Sequence, residues 1–225
     1  MDCCFITEGT VNEIWQDKLS SVDNSDLVVF GFNGLGLVGY KNEIEGKSEY
    51  FQDLARFSRQ ISSVVISGCD TDTYGVYRHS AVIADKGKIL GVSDAVHSID
   101  ESEFVSGGNF RVYDTSVGKI GILIAEDLFF HESSRVLASC DADFIVCILK
   151  EIENSIPQIM LRSCSFSNGI AMGLVSKNYF TVANIKGEVS FAGSRDVNKV
   201  SVKIKKDYHL VGARRRGFYR EFPRN

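Results

Sequence analysis

The sequence predicts an α/β fold built from buried sheets in layers, and three observations carry that expectation. Ile120, Ile122, Leu123 and Ile124 form a continuous β-branched and aliphatic run, the pattern of a strand covered on both faces. The run breaks at Glu126-Asp127 and passes into helix formers without Gly or Pro, through Leu128, Arg135, Val136 and Ala138. A second strand follows from Asp143 to Leu149, so residues 119–149 read as strand, helix and strand. Third, 225 residues with 44% apolar content are enough for a sizeable core. No compositional linker divides the chain, and one domain over residues 1–225 is expected.

In order along the chain, Met1 to Ile6 is a short apolar start, read as a clipped edge strand, and Val11 to Leu19 is compatible with a helix. Leu27 to Phe30 is a strongly buried strand that runs into a glycine-rich stretch, Gly31 to Tyr40. That stretch lacks both the Lys-Ser/Thr of a phosphate loop and the G-x-G-x-x-G spacing, so it gives little support for a nucleotide. Tyr50 to Gln60 reads as an amphipathic helix with Phe51, Leu54, Ala55 and Phe57 on its apolar side. Ser63 to Gly68 and Ser80 to Ala84 are strands separated by a polar, turn-rich segment, and Asp85-Lys86-Gly87-Lys88 turns into Ile89 to Val92. Phe110 to Tyr113 is a further strand. Beyond a brief charged loop, Lys150 to Pro157, a helix over Met160 to Asn168 precedes strands at Ala171 to Ser176 and Tyr179 to Ile185. A turn at Gly187 to Phe191 then leads to a final strand, Val200 to Ile204.

Composition narrows the function classes. A net charge of -4 speaks against a nucleic-acid surface, and the basic cluster Arg214 to Arg216 is too short to make one. No apolar run is long enough to span a bilayer, and the start lacks the basic and apolar regions of a signal peptide. A cytoplasmic protein is expected. The six cysteines show no metal-ligand spacing and read as reduced, structural thiols, with no metal and no cofactor implied.

The segment Gly121 to Ala138, GILIAEDLFFHESSRVLA, resembles the nucleophile segment of the nitrilase, or carbon-nitrogen hydrolase, superfamily, G-[IV]-x-[IL]-C-Y-D-x-R-F-P-E-x-x-R-x-x-A. Asp127, Phe130, Glu132, Arg135 and Ala138 fall on that pattern, but Ala125 stands at the cysteine. A methyl group can neither attack a carbonyl nor leave from a thioester. Leu27 to Tyr40 is similar to the family's D-L-V-V-F-P-E-x-x-x-x-G-Y, which carries the general base, yet Gly31-Phe32 replaces Pro-Glu and two residues are added. His79 to His97 lies over N-S-A-x-[VI]-I-D-x-x-G-x-[IL] and the lysine segment that follows, with Ala95 at the lysine. A methyl group there offers no donor to a developing oxyanion. The resemblance covers nearly the whole chain and implies an α-β-β-α sandwich of two mixed sheets with outer helices.

Three functional readings follow. The first is a pseudoenzyme that keeps the fold to bind a small ligand or a partner, such as an active homologue, with Phe32, Ala95 and Ala125 at the degenerate triad positions. The second is an amide or nitrile hydrolase with a relocated nucleophile, Cys147, at the end of the strand beside the one bearing Ala125. The third is a purely structural, oligomer-forming protein. Asn33, His97, Glu126 and Lys150 are candidate cleft-lining residues, and Glu126 or Lys150 is the base that Cys147 would need. Asp127, Glu132 and Arg135 suit helix capping and internal ion pairing as well as they suit catalytic remnants. The resemblance further implies a homodimer or larger homo-oligomer joined through helices, with neither nucleic acid nor membrane as partner.

Overall fold

The computed structural model describes residues 1–99, 103–207 and 210. In chain order the strands of its first half are β1 (Asp2–Ile6), β2 (Leu27–Phe30), β3 (Gly36–Gly39), β4 (Val64–Thr73), β5 (Val76–Asp85) and β6 (Lys88–Asp94). Those of the second half are β7 (Val112–Thr115), β8 (Gly118–Ile124), β9 (Phe144–Ile148), β10 (Ala171–Ser176), β11 (Tyr179–Ala183), β12 (Val189–Gly193) and β13 (Val197–Ser201). The helices are α1 (Val11–Asp17), α2 (Tyr40–Ile44), α3 (Tyr50–Ile61), α4 (His131–Ser139) and α5 (Ile156–Asn168).

Two mixed sheets result. One has the order β13-β1-β2-β4-β5-β6, with the short β3 also paired to β4, and the other β12-β11-β10-β9-β8-β7. Three neighbouring strands are parallel in each, β1-β2-β4 and β8-β9-β10, and antiparallel strands flank them. The sheets pack face to face through Phe5, Val29, Ile66 and Ile83 from the first and Ile122, Ile124, Val146 and Val175 from the second. Outside, α1 and α3 cover the first sheet through Ile14, Leu54 and Phe57. On the far side, α4 and α5 cover the second through Leu137, Leu161 and Cys164. This is the expected sandwich of two mixed sheets between helices. Its cause is visible in β2, β9 and β10, every residue of which is buried, so that both faces must be covered.

Local signals place the helices. Thr10 and Glu13 close a reciprocal capping box at the start of α1, 3.1 Å and 2.7 Å. Pro157 opens α5, and Gly169 ends it in the left-handed conformation, at φ +64°, where a Cβ would lie 1.6 Å from the Asp207 carbonyl oxygen. No described helix is long and apolar enough to cross a membrane.

Several boundaries differ from expectation. β1 is an interior strand between β2 and β13, because its residues 3–6 are buried on both faces. The polar segment after Gly68 is the arm of a long β4-β5 hairpin turning at Tyr74-Gly75, since backbone pairing there does not depend on apolar side chains. Residues 189–193 form a strand where a turn was expected, and the final strand begins at Val197. Arg214 to Arg216 lie outside the described residues.

Candidate functional site

In both sheets the parallel strands end at the same rim. A cavity of about 490 Å³ is lined there by Thr7 after β1, Phe32 and Asn33 after β2, Asp70 on β4, Lys150 and Glu151 after β9, and Lys177 after β10. The carboxyl ends of parallel strands are where open α/β sheets hold ligands, because loops there are free of the pairing that fixes the strands.

Phe32, Ala95 and Ala125, the three residues that the sequence resemblance sets at the triad positions, all belong to the apolar cluster between the sheets. Ala125 follows β8 directly, opens a 3-10 turn over Ala125–Phe129 and adopts φ +49°. A left-handed residue at a strand-to-helix bend is the geometry that presents a nucleophile, and here the bend carries only a methyl group. Ala95 follows β6; its N–H donates to the His79 carbonyl at 2.8 Å and its own carbonyl accepts from Gly107 N–H at 2.7 Å. Phe32, 8% exposed, packs edge-on against His79 with centroids 5.5 Å apart. Gly68 makes room for it, as a Cβ at that position would lie 3.1 Å from the Phe32 backbone and 2.8 Å from Ile148 Cγ2.

Cys147 does not share this cleft, which corrects the sequence-based expectation. Val146 and Ile148 point between the sheets, so strand alternation turns Cys147 toward α4 and α5, among Leu123, Leu128, Leu161 and Cys164. It is fully buried, and burial pushes its thiol well above the ordinary range.

Asp127 is the polar hub of the turn. Its side chain is 1% exposed and accepts from the N–H groups of Val96 at 3.0 Å, His97 at 2.9 Å and Ile124 at 3.3 Å, with His97 Nδ1 at 3.1 Å. It thereby ties the loop bearing Ala95 to the bend bearing Ala125. Burial outweighs these hydrogen bonds and holds the carboxyl above its ordinary pKa. His97 stacks on Phe130, with centroids 4.0 Å apart, and its ring is committed to this wall.

Three groups missed in the sequence reading, Asp70, His79 and Phe104, meet the expected Lys150 at the mouth. His79 stacks on Phe104 at 3.7 Å and its Nδ1 lies 2.6 Å from Asp70 Oδ1. Lys150 Nζ donates to Asp70 Oδ2 at 3.0 Å and lies 5.4 Å and 4.7 Å above the Phe32 and Phe104 rings. Asp70 and His79 are direct partners in the β4-β5 ladder, so the long hairpin's register was the signal that would have joined them. Burial alone would raise the Asp70 carboxyl, but the His79 and Lys150 hydrogen bonds prevail and hold it below the usual range. A depressed acid stabilises the fold above its unfolded pKa and loses that contribution as pH falls through its native value. Asp70→Asn is therefore expected to cost ~1 kcal/mol at neutral pH in urea unfolding, the difference from the native chain closing as pH falls through the depressed native value of this carboxyl. A difference unchanged over that range would show that Asp70 acts through packing alone.

Comparison with known proteins meets this geometry. A family model described as carbon-nitrogen hydrolase matches residues 16–189. The chain belongs to the carbon-nitrogen hydrolase family. It is 28% identical over 110 residues to a probable nitrilase of Schizosaccharomyces pombe, a match covering 46% of this chain and 40% of that protein. With a nitrilase of Pyrococcus abyssi it shares 32% over 104 residues, 45% of this chain and 39% of the relative. The matched segments thus span about two fifths of these curated relatives. A cysteine-to-alanine mutant of an amidase from Nesterenkonia AN1 has the same fold, with a TM-score of 0.77 and 17% identity over 98% of this chain and 96% of its own.

In this carbon-nitrogen hydrolase family member the remaining motif residues are dispersed. Glu126 is half-buried, and its Oε2 has no hydrogen-bond partner among the described residues. Glu132 is exposed in the first turn of α4, where its charge suits the helix dipole. The expected ion pair with Arg135 is not formed among the described residues. Arg135 reaches across to α5 instead, donating from Nη2 to the Ser167 carbonyl at 3.1 Å. Asp127 sits in the turn before α4 and does not cap that helix.

Proposed function

We propose that this carbon-nitrogen hydrolase family member is a pseudoenzyme, a fold kept to bind a small ligand or a partner chain. One observation carries the reading: the rim at which the parallel strands converge has Phe32, Ala95 and Ala125 where a base, an ammonium donor and a nucleophile would act. The burial of Cys147 on the helix side counts against the relocated-nucleophile hydrolase, since a nucleophile must reach substrate, a base and an oxyanion donor together. The aromatic packing of Phe32, His79 and Phe104 favours a purely structural role, but the polar cavity beside it favours a ligand. Exposed Val136 on α4 with Ile159 and Phe166 on α5 supports association as a homodimer through these helices. Six unpaired thiols, five of them buried, support the cytoplasm as the compartment.

The test is intact-protein mass spectrometry after incubation with an amide and nitrile library and a thiol-reactive acyl probe, with ammonia release followed in parallel. No cysteine is expected to acylate faster than in a denatured control. Acylation that disappears in Cys147→Ala would revive the hydrolase. Ala125→Cys alone is expected to leave ammonia release at the buffer background, because positions 32 and 95 supply neither base nor donor and catalytic groups acting as a unit fail together. Turnover in that single variant would mean that other residues supply both roles.

A further inference from the structure

The rim cavity contains an arrangement that stability alone does not explain. Lys150 and Lys177 stand on adjacent segments, the Lys177 N–H donating to the Lys150 carbonyl at 3.1 Å, and both line the same cavity. Two ammonium groups on neighbouring segments repel one another unless anions sit between them. The protein compensates them unequally. Lys150 is tied to Asp70 at 3.0 Å, whereas among the described residues Lys177 has only Glu151 at 3.7 Å, with about half of each of these two side chains or more in solvent. A surface pair of that kind contributes little. Asp70 is already committed to His79 and Lys150. Across the cavity the Asn33 side-chain amide has no hydrogen-bond partner among the described residues, and Phe32 and the 57% exposed Leu37 form an apolar wall.

Three side chains able to donate, Lys150, Lys177 and Asn33, thus line the same cavity as the apolar Phe32 and Leu37. We infer that this cavity binds a small organic carboxylate, its head group between Lys150, Lys177 and Asn33 and its apolar body against Phe32 and Leu37. The inference rests on the non-catalytic reading above, which leaves an acid bound and unchanged. A carboxylate fits better than a neutral amide because the site offers two cationic donors, while of its two carboxylates Asp70 is committed to His79 and Lys150 and Glu151 faces Lys177 at 3.7 Å. It fits better than a bare inorganic anion because part of the wall is apolar.

The experiment is an NMR titration of the full chain with hexanoate, hexanamide and inorganic phosphate, with ammonia assayed in every hexanamide sample. Hexanoate is expected to saturate one site, with shifts at Asn33, Lys150 and Lys177, and to bind about tenfold more tightly than hexanamide. Lys177→Gln, at an exposed position whose loss leaves the core intact, should weaken hexanoate about tenfold, and Lys119→Gln should not. Equal binding of acid and amide, indifference to Lys177→Gln, or no saturable binding would each overturn the site. Phosphate binding as tightly as hexanoate would reduce it to a general anion site and overturn the carboxylate assignment. Ammonia from hexanamide would instead sink the non-catalytic reading, whatever the binding data show.

Discussion

Asp127→Ala is expected to lower stability by about 4 kcal/mol, the largest effect of any single substitution proposed for this chain, because it strands several buried donors at once. Val96, His97 and Ile124 each direct a backbone N–H at this carboxylate, and His97 Nδ1 lies beside it. An unsatisfied buried donor costs roughly 1–3 kcal/mol, and the three do not sum fully because the loop can shift toward water. Asp127→Asn keeps one acceptor oxygen but aims an amide N–H at a backbone N–H, so an intermediate loss of about 2 kcal/mol is expected. Urea unfolding followed by circular dichroism measures both. A loss below 1 kcal/mol for the alanine variant would mean that the loop bearing Ala95 is held by other contacts.

The second large effect is at the bend. Ala125→Val is expected to cost about 3 kcal/mol, through two separate terms. At φ +49° a β-branched side chain clashes with its own backbone, and the added methyls enter the packed cluster between the sheets. Ala125→Gly separates these terms. Relief of the left-handed backbone, about 1 kcal/mol, is offset by the lost buried methyl, about 0.8 kcal/mol, and by the entropy of a glycine in the unfolded chain. The glycine variant should fall within about 1 kcal/mol of the native chain. Equal losses for valine and glycine would show that the bend relaxes without the alanine, and that the left-handed conformation is not imposed by its surroundings.

What was legible in the sequence lay in local pattern. The runs Leu27–Phe30, Gly118–Ile124 and Phe144–Ile148 announced themselves by composition, and α3 by its apolar spacing. That Phe32, Ala95 and Ala125 stand where the resemblance sets the family's motif residues was equally legible, because the identity of a residue at a motif position needs no knowledge of its neighbours. Tertiary structure decided where side chains point and which distant residues meet. In a strand buried on both faces there is no alternation of polar and apolar residues, so nothing local says that Cys147 faces the helices and Val146 the opposite sheet. The interior place of β1 depends on β13, nearly two hundred residues away, and the Asp70–His79 pair depends on the register of a hairpin whose two strands are ten residues each. The lysine pair depends on β9 and β10 ending together. Each of these follows from pairing between segments, a property set by the packing of the whole sandwich and carried by no single stretch of chain.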